Sequence, residues 1–159
     1  MAITRLGGAN AITGTIPTSV APGQGKILQV SNQVIISTEQ TLSTNTYTDL
    51  TSATLNITPS STSNKIFLSV AINCRHSVDG SGYGVKFVRD SSGVFTTTND
   101  YLAYAPYSPL RSYSTVQYID SPSSTSQITY KVQVASYFNN TIKFNNSAQS
   151  TFYAMEIAG

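Results

Sequence analysis

The residues best suited to chemistry lie together at the end of one alternation of polar and apolar residues. His76 is the only histidine and Cys74 the only cysteine, with Arg75 between them. A zinc site needs at least three protein ligands, and no third one lies nearby in the sequence. Cys74 continues the apolar alternation, which predicts a buried, unreactive thiol. We expect His76 to be a surface residue at a strand end, where the adjacent cation disfavours its protonated form; a metal ligand or a catalytic base is the alternative role.

The seven acidic residues form no pattern that supports acid–base catalysis. Asp79, Asp90, Asp100 and Asp120 stand beside Gly, Ser, Asn or Pro, where an aspartate typically caps a turn. No two acids share a predicted strand face at close spacing, as a glycosidase pair would require. Residues 79–82, Asp-Gly-Ser-Gly, lack the later ligands of a calcium loop and predict a plain turn. We therefore predict no enzymatic activity, no metal and no cofactor.

A tyrosine-rich segment is the best candidate for recognition. Tyrosine rings can pack against sugars, and an arginine can pair with a carboxylate or phosphate on a glycan. The alternative is that these rings pack the loop itself or a contact between subunits. The candidate contact residues are Tyr101, Tyr104, Tyr107, Arg111 and Tyr113.

The composition favours strands and turns over helices. Charged residues make up 10% of the 159-residue chain, whereas an average globular domain contains about a quarter. In their place stand 23 serines and 21 threonines, with ten tyrosines and no tryptophan. Hydroxyl residues suit exposed strand faces and tight turns, whereas helices are richer in Glu, Lys, Ala and Leu.

Charge and hydropathy argue against several partners. The formal net charge is +2, and the nine basic residues form no sequence cluster larger than Arg75-His76, so we expect no binding to nucleic acid. One cysteine excludes an internal disulfide. No apolar run is long enough to span a membrane, and the first residues do not resemble a signal peptide. We therefore expect no membrane insertion.

A repeated pentapeptide indicates how the chain is organised. Pro-Ser-Ser-Thr-Ser occurs at 59–63 and at 122–126, each time before an alternating run, which predicts turns that open strands of antiparallel hairpins. Further turn signals, including Asn139-Asn140, divide the chain into eight or nine strands, with a long loop at 99–109. The predicted fold is all-β, an antiparallel two-sheet sandwich of jelly-roll type with an extended N-terminal arm.

The N-terminal segment differs from the rest. Residues 1–25 are predicted to be an extended arm and residues 26–159 the sandwich head domain. The glycines and prolines of the arm oppose a helix, and its apolar side chains are too few to form a core. We expect the arm to order against neighbouring subunits, with Ile3, Leu6, Ile12 and Ile16 as contact residues.

A resemblance to a known family runs nearly from end to end, except for residues 77–114. Six motifs carry it: residues 1–7, 14–17, 25–30, 57–66, 120–134 and 155–158. They resemble the tail-fibre-like family of small bacteriophage virion proteins. The resemblance implies a non-enzymatic homotrimer with an N-terminal attachment arm and a β-sandwich head, made in the bacterial host cytoplasm and incorporated into the virion.

Three classes of function follow, namely a virion component, a carbohydrate-binding module and an enzyme. The predicted function is a homotrimeric tail-fibre or fibre-tip component that binds other virion proteins through its arm and contacts a host surface glycan. Within the virion class, the alternative is a capsid decoration protein whose arm lies along the shell. A carbohydrate-binding module would instead be a monomer whose sugar affinity depends on Tyr104 and Tyr107. An enzyme would require an activity that is lost in His76→Ala.

Overall fold

The computed structural model describes residues 25–97 and 102–159, and these residues form two antiparallel β-sheets. Twelve strands lie within the described ranges. They are β1 (Ile27–Val30), β2 (Val34–Ile36), β3 (Gln40–Leu42), β4 (Thr48–Ile57), β5 (Lys65–His76), β6 (Ser81–Arg89), β7 (Ser92–Thr96), β8 (Ala103–Ala105), β9 (Leu110–Asp120), β10 (Ile128–Ser136), β11 (Ile142–Phe144) and β12 (Ser150–Ile157).

The seven-stranded sheet is built around β5, its longest strand. One edge of β5 pairs with β9 over its whole length, and the other edge pairs with β12 and then β11. β1 and β2 both pair with β12, and β3 pairs with β11. In the five-stranded sheet, β10 lies between β4 and β6, and β6 also pairs with β7 and β8.

The hydrophobic core lies between the two sheets. Alternate residues of β5, including Ile66, Leu68, Val70 and Ile72, are fully buried on the inner face of the seven-stranded sheet, as the period-2 alternation of a strand requires. Aromatic pairs connect the sheets, because Phe87 of β6 stacks on Phe152 of β12 with ring centroids 5.9 Å apart. The predicted antiparallel two-sheet sandwich is therefore confirmed.

Residues 26–37 form two strands, β1 and β2, separated by the polar residues Ser31 to Gln33. Two details of the strand prediction were wrong. β3 was missed because three residues are too few to show an alternation. β8 lies inside the expected long loop at 99–109, where its pairing with β6 decides its conformation.

The predicted hairpin turn at Asn139-Asn140 is instead a connection between the sheets, because β10 belongs to the five-stranded sheet and β11 to the seven-stranded sheet. Its left-handed residues also lie one position earlier than predicted. Phe138 and Asn139 have positive φ values of 51° and 59°, whereas Asn140 has a φ of −70°. Asparagine tolerates this left-handed region better than other non-glycine residues. The local sequence therefore indicated a turn here but not its register.

The two Pro-Ser-Ser-Thr-Ser segments are arches between sheets rather than hairpin turns. The first joins β4 of one sheet to β5 of the other, and the second joins β9 to β10. Both contain the same local hydrogen bond, from the Ser63 N–H to Ser61 Oγ (3.3 Å) and from the Ser126 N–H to Ser124 Oγ (3.0 Å). Because β4 pairs with β10 and β5 with β9, the two arches lie at the same end of the sandwich.

Candidate functional site

His76 ends β5 as predicted, but it is fully buried rather than on the surface. Because it is two residues from the buried Cys74, its side chain lies on the same face of β5 and points between the sheets. Its Nδ1 lies 3.0 Å from Ser81 Oγ, and its Nε2 lies 3.1 Å from Ser112 Oγ. A neutral imidazole has one donor and one acceptor nitrogen, and a hydroxyl can serve either. Both ring nitrogens are therefore satisfied.

This buried cluster has the geometry of a core contact. The two hydrogen-bond partners of His76 are hydroxyls, so no carboxylate among them orients the ring as in a catalytic triad. Cys74 is buried as predicted, and burial raises the pKa of its thiol to about 12, away from the reactive thiolate. Within residues 25–97 and 102–159, no three His, Cys, Asp or Glu side chains are grouped closely enough to hold a metal ion.

His76 predicts a pH dependence of stability. Burial lowers its pKa below the ordinary 6.5, outweighing the hydrogen bond to Ser81 that raises it. The unfolded chain therefore takes up the proton first as the pH falls, so stability is present above pH 6.5 and is lost below it. We expect urea unfolding to show a decline in stability from pH 7 to pH 5 that is smaller in His76→Gln. An equal decline in both proteins would contradict this role for His76.

Asp120 does not cap a turn, as the sequence had suggested, but ends β9 in a buried ion pair. Arg89 Nη1 lies 3.0 and 2.9 Å from its two carboxylate oxygens, and Tyr130 Oη donates to Oδ2 at 2.6 Å. The Asp120 side chain is 7% exposed and that of Arg89 30%. Burial and the hydrogen bond to Asp120 raise the pKa of Tyr130. This carboxylate therefore connects β9 of one sheet with β6 and β10 of the other.

Glu156 of β12 is a second buried carboxylate, 1% exposed, and its role was missed from the sequence. It accepts hydrogen bonds from Gln29 Nε2 (2.6 Å), from the Ser60 N–H (2.6 Å) and Oγ (2.8 Å), and from Asn64 Nδ2 (2.6 Å). Burial alone would raise the pKa of Glu156, but these donors hold it below its ordinary value. The first Pro-Ser-Ser-Thr-Ser arch is thus fastened to β12.

The predicted recognition segment is divided between the two sheets. Tyr101 lies outside the described residues. Tyr104 is on β8 of the five-stranded sheet, and Tyr107 is in the exposed loop that follows. Arg111 and Tyr113 lie on β9 in the seven-stranded sheet, on the face turned away from the core. Arg111 and Tyr113 therefore lie together on one face of the seven-stranded sheet, whereas Tyr104 belongs to the other sheet.

The outer face of the seven-stranded sheet carries a row of apolar side chains that crosses four strands. Strand register places Val30, Met155, Phe67 and Ile119 in one row across β1, β12, β5 and β9. Val30 is 57% exposed and Ile119 50%, and Ile27 and Ile35 are similarly exposed. We call the outward-facing apolar residues of β1, β2, β12, β5 and β9 between the rows of Lys65 and Ala71 the apolar face; Ser69, Gln117 and Thr115 lie among them.

The described chain begins beside this apolar face. The Gly25 N–H donates to the Ala158 carbonyl (2.8 Å), and Gly25 lines a shallow cavity of about 440 Å³ together with Lys65, Ile119 and Ile157. The arm contact residues Ile3, Leu6, Ile12 and Ile16 lie outside the described residues. Gly25, the first described residue, lies at the edge of the apolar face.

The strand arrangement defines the class of fold as an antiparallel two-sheet sandwich of jelly-roll type. Among solved structures it is similar to the infectious bursal disease virus VP2 subviral particle, with a TM-score of 0.55 and 11% identity over 84% of this chain. A structure of the Gx strain of the same virus gives 0.54 and 13% over 82%. The chain spans about a third of the length of each of those chains (34% and 32%).

Sequence comparison adds no relatives to these structural neighbours. No protein-family model matches the chain, and no curated protein matches it. The described residues contain no helix long and apolar enough to cross a membrane. The structural likeness therefore concerns the fold, and function has to be argued from the surface.

Proposed function

We propose that the protein is a non-enzymatic structural component of a virion and that it assembles with copies of itself through the apolar face. The observation that carries this proposal is the row of Val30, Met155, Phe67 and Ile119, which crosses four strands on a solvent-facing surface. Contiguous apolar patches of this kind mark interaction sites in soluble proteins. The fold supports the same role, because a similar sandwich occurs in a protein of a viral particle.

The chemistry of the apolar face favours a second copy of this chain as its occupant. The row of Val30, Met155, Phe67 and Ile119 contains no charged residue, so it offers no electrostatic selectivity for a different partner. Four strands about 4.8 Å apart and seven residues at about 3.3 Å each make a face on the order of 20 Å by 20 Å. A standard interface buries about 800 Å² on each partner. The face supplies on the order of half of this area, and the arm of a neighbouring subunit supplies the rest.

We propose a homotrimer as the assembly. Closed symmetric oligomers are the usual form of self-association, and each arm starts at Gly25, at the edge of its own apolar face. Ile3, Leu6, Ile12 and Ile16 then pack on a neighbouring subunit or on another virion protein. The place in the particle is a tail fibre or fibre tip that contacts the host surface, and the alternative is a capsid decoration protein. Antibody labelling of purified particles distinguishes these two locations.

Light scattering on the purified chain tests the assembly. We expect a mass near 51 kDa, three times 17.0 kDa. The double variant Val30→Lys/Ile119→Lys should be a folded monomer, because both side chains are at least half exposed and lysine places a charge in the contact. Val78→Lys is the matched control, since Val78 is an exposed apolar residue in the loop after β5, and it should remain a trimer.

Two results would contradict the proposed assembly. If the wild-type chain were monomeric at high concentration and present as single copies in purified particles, self-association would be ruled out. A trimer that survives the double lysine variant would place the contact elsewhere on the protein. Deleting residues 1–24 measures how much the arm contributes to assembly. We expect the shortened chain to assemble more weakly and its head domain to fold as before.

A further inference from the structure

Strand register assembles a basic row that the sequence keeps apart. Lys143 of β11 lies directly opposite Arg75 of β5, and Arg75 lies directly opposite Arg111 of β9. The side chains of all three lie on the outer face of the seven-stranded sheet. Side chains directly opposite each other in antiparallel strands have Cβ atoms about 4.5–5.5 Å apart. Three of the nine basic residues therefore form one contiguous row.

The basic row is only partly neutralised. Lys143 Nζ lies 2.9 Å from Glu39 Oε1, and Arg111 donates to the backbone carbonyl of Asn146. Among the described residues, neither Arg75 nor Arg111 lies within salt-bridge distance of a carboxylate. Like charges directly opposite each other destabilise a sheet. The row therefore has a local charge excess for which the fold itself offers no reason.

Buried polar atoms without partners surround the basic row. Of the four buried side-chain oxygens and nitrogens that lack a hydrogen-bond partner in the described chain, three belong to Asn73, Ser77 and Asn146. Asn73 and Ser77 stand two residues before and after Arg75, and Asn146 accepts the hydrogen bond from Arg111. Buried polar groups are normally satisfied. Their concentration here indicates a polar site rather than ordinary sheet packing.

An exposed aromatic ring completes the site. Tyr113 is 59% exposed and lies opposite Asn73, two residues from Arg111 on the same face of β9. A tyrosine ring packs on the apolar face of a sugar, and its hydroxyl stays in water. Guanidinium groups beside it bind carboxylates through charge-assisted hydrogen bonds.

We propose that Arg75, Arg111, Lys143 and Tyr113 form a binding site for an acidic polysaccharide, with the cations on its carboxylates and the ring on a sugar. Nucleic acid fits less well, because a nucleic-acid interface typically neutralises 6–10 phosphates, whereas this row has three cations and one of them is paired. Arg75 is four residues from Ala71, about 13 Å along β5, and Tyr113, opposite Asn73, is about 7 Å from the same end of the apolar face. The site therefore lies beside the apolar face and shares no residue with it.

Affinity electrophoresis tests the proposal, with the full chain migrating through native gels that contain polygalacturonate or neutral dextran. We expect retardation by polygalacturonate alone, and we expect Arg75→Gln/Arg111→Gln to weaken it at least tenfold. Lys26→Gln/Lys86→Gln is the matched control, because it removes the same charge from positions outside the basic row and the apolar face, Lys26 before β1 and Lys86 on the five-stranded sheet. The control should weaken retardation less than threefold.

The variants separate binding from folding. Relief of like-charge repulsion should leave the Tm of Arg75→Gln/Arg111→Gln equal to or above that of the wild type. Tyr113→Ala keeps every charge and should still weaken retardation at least threefold. Equal losses in the two double variants, no retardation of the wild type, or tighter binding of a single-stranded oligonucleotide would each overturn the proposal.

Discussion

Replacing Arg89 with methionine is expected to lower the free energy of unfolding by about 3 kcal/mol. The variant keeps the apolar stem but leaves the Asp120 carboxylate, whose side chain is 7% exposed, with Tyr130 as its remaining side-chain donor. An uncompensated buried charge is among the most destabilising changes in a protein. Because Arg89 is itself 30% exposed, we expect the lower end of the usual range of about 3–5 kcal/mol. Urea unfolding at pH 7 measures the effect.

The double variant Arg89→Met/Asp120→Asn provides the sharper comparison. It removes the buried charge with its partner and should be more stable than Arg89→Met alone. Lys131→Met is the control, because it removes the cation of the exposed Lys131–Asp49 pair and should cost no more than about 1 kcal/mol. If Arg89→Met and Lys131→Met had equal effects, the ion pair would have no special role in joining the sheets.

Replacing Glu156 with glutamine is expected to lower the free energy of unfolding by about 2–3 kcal/mol at pH 7. Every contact that this carboxylate makes with Gln29, Ser60 and Asn64 is with a donor, so an amide NH₂ would face another donor. The folded-state pKa of Glu156 lies below the ordinary 4.5. Its contribution is therefore present above pH 4.5 and is lost as the pH falls through the folded value.

The pH dependence makes this prediction specific. The difference in stability between the wild type and Glu156→Gln should shrink as the pH falls below about 4.5. Glu39→Gln is the control, since Glu39 is exposed and screened by water, and its effect should be much smaller. A Glu156→Gln protein as stable as the wild type at pH 7 would show that the first arch does not need the carboxylate.

Both buried carboxylates lie at the end of the sandwich where each Pro-Ser-Ser-Thr-Ser arch passes from one sheet to the other. Glu156 and Asp120 are the strand partners of Ile66 on its two sides. One is satisfied by neutral donors and the other by a cation. These two carboxylates therefore help to close this end of the fold.

Local sequence determined the strands, the turns and much of the core. Alternation after the first Pro-Ser-Ser-Thr-Ser copy predicted β5, and the turn predicted at residues 79–82 is found where β5 leads into β6, with a φ of 68° at Gly80. The burial of Cys74 followed from its phase in the same run. These properties depend on one residue and its near neighbours, which is why a single sequence contains them.

Only the tertiary structure decided which side chains meet. The nine basic residues show no large cluster along the chain, yet register aligns Lys143, Arg75 and Arg111, which are separated by 32 to 68 positions. His76 was expected at the surface because it ends its strand, although it shares the face of β5 with Cys74; only the packing of Ser81 and Ser112 around its ring decided that it is buried. Pairing register and sheet stacking depend on contacts between distant segments, so the apolar face and the basic row exist only in the folded chain.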